Sequence, residues 1–327
     1  MFYSIRHITK FRYSAPVSES IMETRMQPRT EGTQRCLNFQ LTVLPRTRVS
    51  SYRDYLGNIV HHFDVPGQHR QLLIVAEALV DVHPPVELPS ELGPGAWNEI
   101  DAMIARGDYW EMLMPSHFAR PSRELASFAA ELGLHSKLEA RERDPLQLLR
   151  EINKALFSSV AYVKSSTTVD SPIEHALRTR EGVCQDFAHI AITLLRQLGI
   201  PARYVSGYLF HRSGDQTRSA EGATHAWVEA LLPGLGWVGL DPTNDVLASD
   251  RHVRTAVGRD YADVPPSKGV FKGSVKSELK VTVRVAPSDA PPPVEEESAA
   301  PEDWVQVLQQ EAAESIAVAQ QQQQQQQ

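Results

Sequence analysis

Residues 180–188 read Arg180-Glu181-Gly182-Val183-Cys184-Gln185-Asp186-Phe187-Ala188, and the run continues through Leu198, Gly199, Ile200 and Pro201. Phe187, Ala188, Ala191, Leu194 and Leu195 recur at helical spacing, which predicts a helix from Cys184 to about Leu198 with that stripe turned inward. Gly199 and Pro201 end it, since glycine accepts the left-handed conformation of a helix C-cap and proline cannot continue the ladder. Gly182 allows a tight approach to the helix start. Cys184 therefore falls in the first turn, where unpaired backbone N–H groups and the positive end of the helix dipole favour a thiolate. The same N–H groups can hold the oxyanion of a tetrahedral intermediate.

Downstream the period changes to two. Arg203 to Phe210, Thr224 to Leu231 and Gly236 to Leu240 read as strands, and Leu279 to Val285 repeats the pattern with Val281, Val283 and Val285. One strand begins at His225. Another ends on Asp241, where Pro242 stops it. A cysteine nucleophile needs a base, and the base needs an acceptor that fixes its tautomer. A cysteine on a helix start, a histidine on one strand and an aspartate on the next supply the three roles, because neighbouring strands lie about 5 Å apart. The candidate catalytic residues are thus Cys184, His225 and Asp241.

Upstream, Asp144-Pro145-Leu146-Gln147 and Ser171-Pro172-Ile173-Glu174 read as helix starts, with a capping side chain and a proline in the first turn. Before about residue 83 the chain reads as β, in segments 2–13, 37–44, 47–53, 59–65 and 72–82. Leu37, Phe39, Leu41 and Val43 alternate with polar residues, and Asp54-Tyr55-Leu56-Gly57-Asn58 supplies turn chemistry. His83-Pro84-Pro85 and Leu88-Pro89 then read as a linker. The fold class is α+β: a β-sandwich or barrel domain over residues 1–90, a catalytic domain over 91–286, and a Pro- and Gln-rich tail over 287–327. That tail carries eight acidic residues and no Lys or Arg, ends in eight glutamines, and reads as disordered; Trp304, Val305, Leu308 and Ile316 mark a short amphipathic pattern within it.

Composition narrows the function classes. Of 327 residues, 42% are hydrophobic and 22% charged, enough apolar material for a packed core. The arginines of the first 53 residues are spread along strands and loops, not clustered as a nucleic-acid surface would require. The N-terminus lacks the apolar segment of a signal peptide, and no run is long and apolar enough for a membrane helix, so no membrane partner and a cytoplasmic location are expected. Two cysteines, Cys36 and Cys184, make neither a disulfide framework nor a zinc site, and leave one reactive thiol as the chemical option. His61 and His62 are adjacent in a strand and point to opposite faces, against shared metal ligation. No metal and no cofactor are expected.

The blocks GVCQDFAHIA (182–191), GIPARYVSGY (199–208), HAWVEALLPGLGWVGLDPTN (225–244) and GRDYADVPP (258–266) resemble the transglutaminase-like superfamily, and more narrowly bacterial proteins that place a β-rich domain before that core. The resemblance covers most of residues 1–286. It implies a papain-like core with Cys184 as nucleophile, His225 as general base and acid, and Asp241 as orienter. It also implies acyl transfer through a thioester, from a peptide or protein substrate to water or to an amine. A third reading is an enzyme that works with a protein partner docked on the N-terminal β domain, for which the sequence offers no specific site. The family's calcium dependence is not carried over, because no Asp/Asn ladder is present. Gln185 follows the cysteine, whereas the oxyanion donor of papain-like proteases precedes it, so a second oxyanion donor stays unassigned. Asp186 reads as a first-turn helix residue, His189 as lying off the site, Trp227 and Trp237 as core residues beside it, and Cys36 as buried and inert.

Overall fold

The computed structural model describes residues 1–288 apart from 213, 215 and 216; the tail, with the pattern around Trp304, lies outside the described residues. Four strands open the chain: β1 (Phe2–Thr24), β2 (Gln34–Leu44), β3 (Val49–Arg53) and β4 (Ile59–Val82). The helical layer follows, with α1 (Ala96–Ala105), α2 (Arg123–Glu131), α3 (Lys137–Ala140), α4 (Pro145–Ser159), the short β5 (Ala161–Tyr162), α5 (Ile173–Thr179), β6 (Glu181–Gly182) and α6 (Cys184–Leu198). The second sheet comprises β7 (Ala202–Leu209), β8 (His225–Leu232), β9 (Gly236–Asp241), β10 (Val246–Leu247) and β11 (His252–Gly258), and the chain ends with β12 (Ser267–Phe271) and β13 (Ser277–Pro287).

The strands expected at 59–65 and 72–82 are one strand, and β1 runs twice as far as expected. Both bend at the same level: β1 breaks register between Arg12 and Glu19 where it faces the Pro66–His69 stretch of β4. Register breaks of this kind bend a strand without ending it. The first sheet is accordingly a single sheet curled into a half-barrel, the barrel rather than the sandwich of the two expected forms. Leu37, expected on the inner face, is 50% exposed, because the register of β2 shifts between Cys36 and Asn38 and leaves Leu37 as the extra residue.

The last two strands depart from the expected boundary at 286. They do not extend the second domain: β13 pairs with β1 along Tyr3–Tyr13, and β12 pairs with β1 along Ser20–Thr24. The alternation of Val281, Val283 and Val285 marked a strand but carried no information about its partner. Without β12 and β13 the long β1 would present an open edge.

In the second unit α6 is the central helix. Its expected inner stripe is buried, and so are His189, Ile190, Ile192 and Thr193 on its other sides, because helices cover it on one side and the second sheet on the other. Gly199 closes the helix at φ 86, as its position required. The two units are pinned together. Asn58, at the end of the Asp54–Asn58 turn, donates from Nδ2 to Val257 O at 2.9 Å and accepts from Val257 N–H at 2.8 Å, and Tyr3, Ile5 and Val80 share a core with Tyr208 and Val253.

Candidate active site

Cys184 is the first residue of α6, His225 the first of β8 and Asp241 the last of β9. Ala226, Val228 and Ala230 on β8 and Val238 and Leu240 on β9 pack into the α6 core, so the residues between them take the opposite face. The pairing Val228↔Leu240 then sets Asp241 diagonally across from His225 on that face. His225 Nε2–H donates to Asp241 Oδ2 at 2.8 Å. The Cys184 side chain is close enough for its charge to act on the ring. His225 and Asp241 are buried and Cys184 is half-buried.

Burial alone would drive the His225 ring toward its neutral form. The charge and hydrogen bond of Asp241, reinforced by Cys184, override it and lift the imidazolium pKa to about 10. Burial likewise opposes ionisation of Asp241, but the bonds and charge it meets at His225 and His252 hold its carboxyl well below the usual range. The arrangement favours an imidazolium beside an ionised carboxylate.

The carboxylate is held by more than His225. Asn244 Nδ2 donates to Asp241 Oδ2 at 2.7 Å, Thr243 N–H donates to Oδ1 at 3.1 Å, and His252 Nε2 lies 3.2 Å from Oδ2. Asn244 also ties down the loop before β8, since its Oδ1 accepts from Arg218 N–H at 2.9 Å and Ser219 N–H at 3.2 Å. The His252 contact needs a curled sheet. The strand order is β10-β9-β8-β7-β11, so β11 and β9 are three strand spacings apart, roughly 14 Å if the sheet were flat. Curling brings their same-face side chains together around Trp227, which stands beside both histidine rings. Gly207 on β7 makes room: a Cβ there would sit 2.7 Å from the Trp227 ring.

At the helix start, Asp186 Oδ2 accepts from Val183 N–H at 2.8 Å and from the Thr167 hydroxyl at 2.5 Å, while Gln185 Nε2–H donates to Val169 O at 2.9 Å. These residues fasten the 163–171 loop to the base of α6, and burial raises the Asp186 pKa. Cys184 and Gln185 N–H precede the first helical bond, that of Asp186 N–H to Val183 O. Tyr162 packs beside Cys184 in the same core; burial first, and the Cys184 charge second, raise its pKa, so it keeps its proton.

Other residues lie where their surroundings dictate. His189 is buried, stacked on Phe118, and accepts from Tyr261 N–H at 3.2 Å, away from the candidate triad. Cys36 is half-buried rather than buried, and desolvation raises its thiol to about 11. Trp227 is buried beside His225, whereas Trp237 lies under the Arg203 guanidinium, 4.2 Å from its ring centre, on the wall of a cavity of about 800 Å³. Trp227 and His252 also line that cavity, and neither Cys184 nor His225 does. His225, Asp241 and His252 form a cluster of metal-ligating residue types, with atoms within 4.8 Å of one another. Ser249 N–H donates to His252 Nδ1 at 3.1 Å, which places the ring proton on Nε2; a protonated Nε2 directed at Asp241 is a hydrogen-bond donor and not a ligand. No described helix is long and apolar enough to cross a membrane.

Comparison with known proteins agrees with this architecture. Residues 3–81 match the family described as the bacterial transglutaminase-like N-terminal region, and residues 133–242 match the transglutaminase-like superfamily. An uncharacterized protein of Mycobacterium leprae is 32% identical over 281 residues, covering 85% of this chain and 96% of the relative. A protein-glutamine gamma-glutamyltransferase of Pseudomonas aeruginosa is 32% identical over 116 residues, which are 33% of this chain and 17% of that one. A solved structure from Cytophaga hutchinsonii, provisionally described as a cysteine protease, superposes with TM-score 0.68 at 22% identity over 89% of this chain and 93% of its own, a likeness of fold. The chain belongs to the transglutaminase-like superfamily, in the bacterial form that sets a β-rich N-terminal region ahead of the core.

Proposed function

We propose that the protein is a cysteine-dependent acyl-transfer enzyme that cleaves peptide or glutamine amides through a thioester on Cys184. The observation that carries this reading is the buried His225–Asp241 hydrogen bond beside a half-buried Cys184 at a helix start, with the imidazolium stabilised to a pKa of about 10. The Cys184 thiolate attacks the amide carbon, and the Cys184 and Gln185 N–H groups face the oxygen that becomes negative. His225 gives its proton to the departing amine. It then takes one from the incoming water, and the thioester opens to a carboxylic acid. Asp241 fixes the ring so that one nitrogen always faces the sulfur.

Hydrolysis is the favoured outcome, because water is the abundant acceptor and no amine-binding feature stands at the site among the described residues. The match to the Pseudomonas aeruginosa gamma-glutamyltransferase supports a second reading, in which a primary amine accepts the acyl group. A non-catalytic peptide-binding role is the reading from another class.

One assay separates these. The protein is incubated with casein, with and without a fluorescent primary amine, and the products are resolved by mass spectrometry. Backbone cleavage or deamidation identifies hydrolysis, and amine incorporation identifies transfer. Every change should vanish in Cys184→Ala, and iodoacetamide near neutral pH should label Cys184 well before Cys36. Full activity in Cys184→Ala, or casein left untouched by a protein that merely binds it, would overturn the proposal.

A further inference from the structure

His252 opens β11 and is drawn to the site by the curl of the sheet rather than by any nearness in sequence to Cys184 or His225. Its hydrogen bonds leave a single placement for its proton. Ser249 N–H donates to Nδ1 at 3.1 Å, so Nδ1 presents its lone pair, and the proton on Nε2 is directed at Asp241 Oδ2, 3.2 Å away. The ring is 4% exposed and stands edge-on to Trp227, with ring centres 5.3 Å apart. The titratable and charged groups around it are Asp241 on β9, His225 on β8 and Arg251 in the preceding turn. Burial lowers its pKa against the opposing bond and charge of Asp241.

The two histidines thus give Nε2–H to the same carboxylate oxygen, but they are not equivalent. His225 keeps its second nitrogen for proton transfer, whereas that of His252 is occupied by a backbone amide. His252 can steady the carboxylate and cannot relay a proton.

We propose that His252 is a positioning residue, a permanently neutral donor that fixes the direction of the Asp241 carboxylate, keeps it ionised, and so holds Cys184 and His225 as a thiolate–imidazolium pair. This deepens the acyl-transfer reading and rests on it. A purely architectural role, pinning β11 across the curl, makes different predictions.

Two variants of the full chain separate the roles. His252→Phe keeps a ring and removes the donor, and His252→Gln restores a donor in a neutral side chain. The rate of Cys184 alkylation by iodoacetamide is followed from acid to mildly alkaline pH, alongside thermal unfolding. In His252→Phe the acid limb of the profile should move up by about one pH unit, which is about tenfold slower labelling below the limb. His252→Gln should return it toward wild type. Ring ¹⁵N NMR of the wild-type protein should show His252 as the neutral Nε2–H tautomer throughout.

An unmoved limb in folded His252→Phe overturns the inference, as does a Gln variant no better than Phe, or a His252 that titrates in this range or carries its proton on Nδ1. If His252→Phe fails to fold, the Gln variant and the NMR decide. If wild-type Cys184 labels no faster than Cys36, the acyl-transfer reading itself has failed. Rapid wild-type labelling with an unchanged Phe profile removes the role of His252 alone.

Discussion

Tyr162 stands one ladder away from the approach to Cys184, because β5 pairs with β6 and β6 runs directly into the helix that Cys184 begins. Its hydroxyl accepts from Ala220 N–H at 3.3 Å and keeps its own proton to donate. A retained proton beside Cys184 is what a second oxyanion donor requires, a role no residue claimed in the linear chain. Tyr162→Phe should lower turnover on casein about a hundredfold, the usual loss on removing one such donor. Alkylation by iodoacetamide develops no oxyanion, so its rate should stay within about twofold of wild type. A matched fall in both would assign Tyr162 to packing. At this scale the positions of Cys184, His225 and Asp241 were legible because each begins or ends an element beside a clear turn or strand signal. Tyr162 and His252 were not. One depends on a two-residue ladder, the other on a sheet curling through three strand spacings, and neither leaves a period in the chain.

Helix ends were the most legible feature among the elements. Cys184–Leu198 emerged as a helix with both ends as expected, and α4 begins behind Asp144 and Pro145. The cap at Asp144 does more than its local sequence announces. Its Oδ1 accepts from Leu146 N–H at 2.9 Å and Gln147 N–H at 3.3 Å, while Oδ2 accepts from Leu92 and Gly93 N–H at 2.8 and 2.9 Å, binding the linker to the helix. Asp144→Ala should cost about 2 kcal/mol of stability, toward the upper end for a lost cap because two linker amides lose their acceptor as well. Urea unfolding measures it, and Asp144→Asn should recover part of the loss. Ser171 did not become the cap of α5; its hydroxyl accepts from Thr168 N–H instead, and Pro172 precedes the helix. Strand ends were read less well, since a proline or glycine that stops a straight strand only bends a long curled one, as at Pro66 and Gly67 within β4.

At the scale of the whole molecule, the first sheet is assembled from residues on both sides of the core in sequence. The first sheet takes its last two strands from residues 267–287, after the entire core has been laid down. A fragment of residues 1–90 should therefore fail to form a stable β domain, giving a broad, uncooperative thermal transition by circular dichroism. Joining residues 267–287 to it through a flexible linker should restore a cooperative one. A well-folded 1–90 fragment would show that β1 and β4 suffice alone. Local patterning cannot reveal such a return, because antiparallel pairing between residues 7 and 283 leaves no signal at either site.

The same return of the chain bears on how the protein is made. When the ribosome has delivered β1 to β4, one edge of β1 has no partner, and it waits while nearly two hundred further residues are synthesised. The core around α6 has all its strands before β12 emerges, so the part at the C-terminal side is able to fold first and the N-terminal sheet is completed last. A nascent chain halted between the two stages exposes a long unpaired β-edge, the kind of surface that chaperones cover and that neighbouring chains on a polysome can pair with.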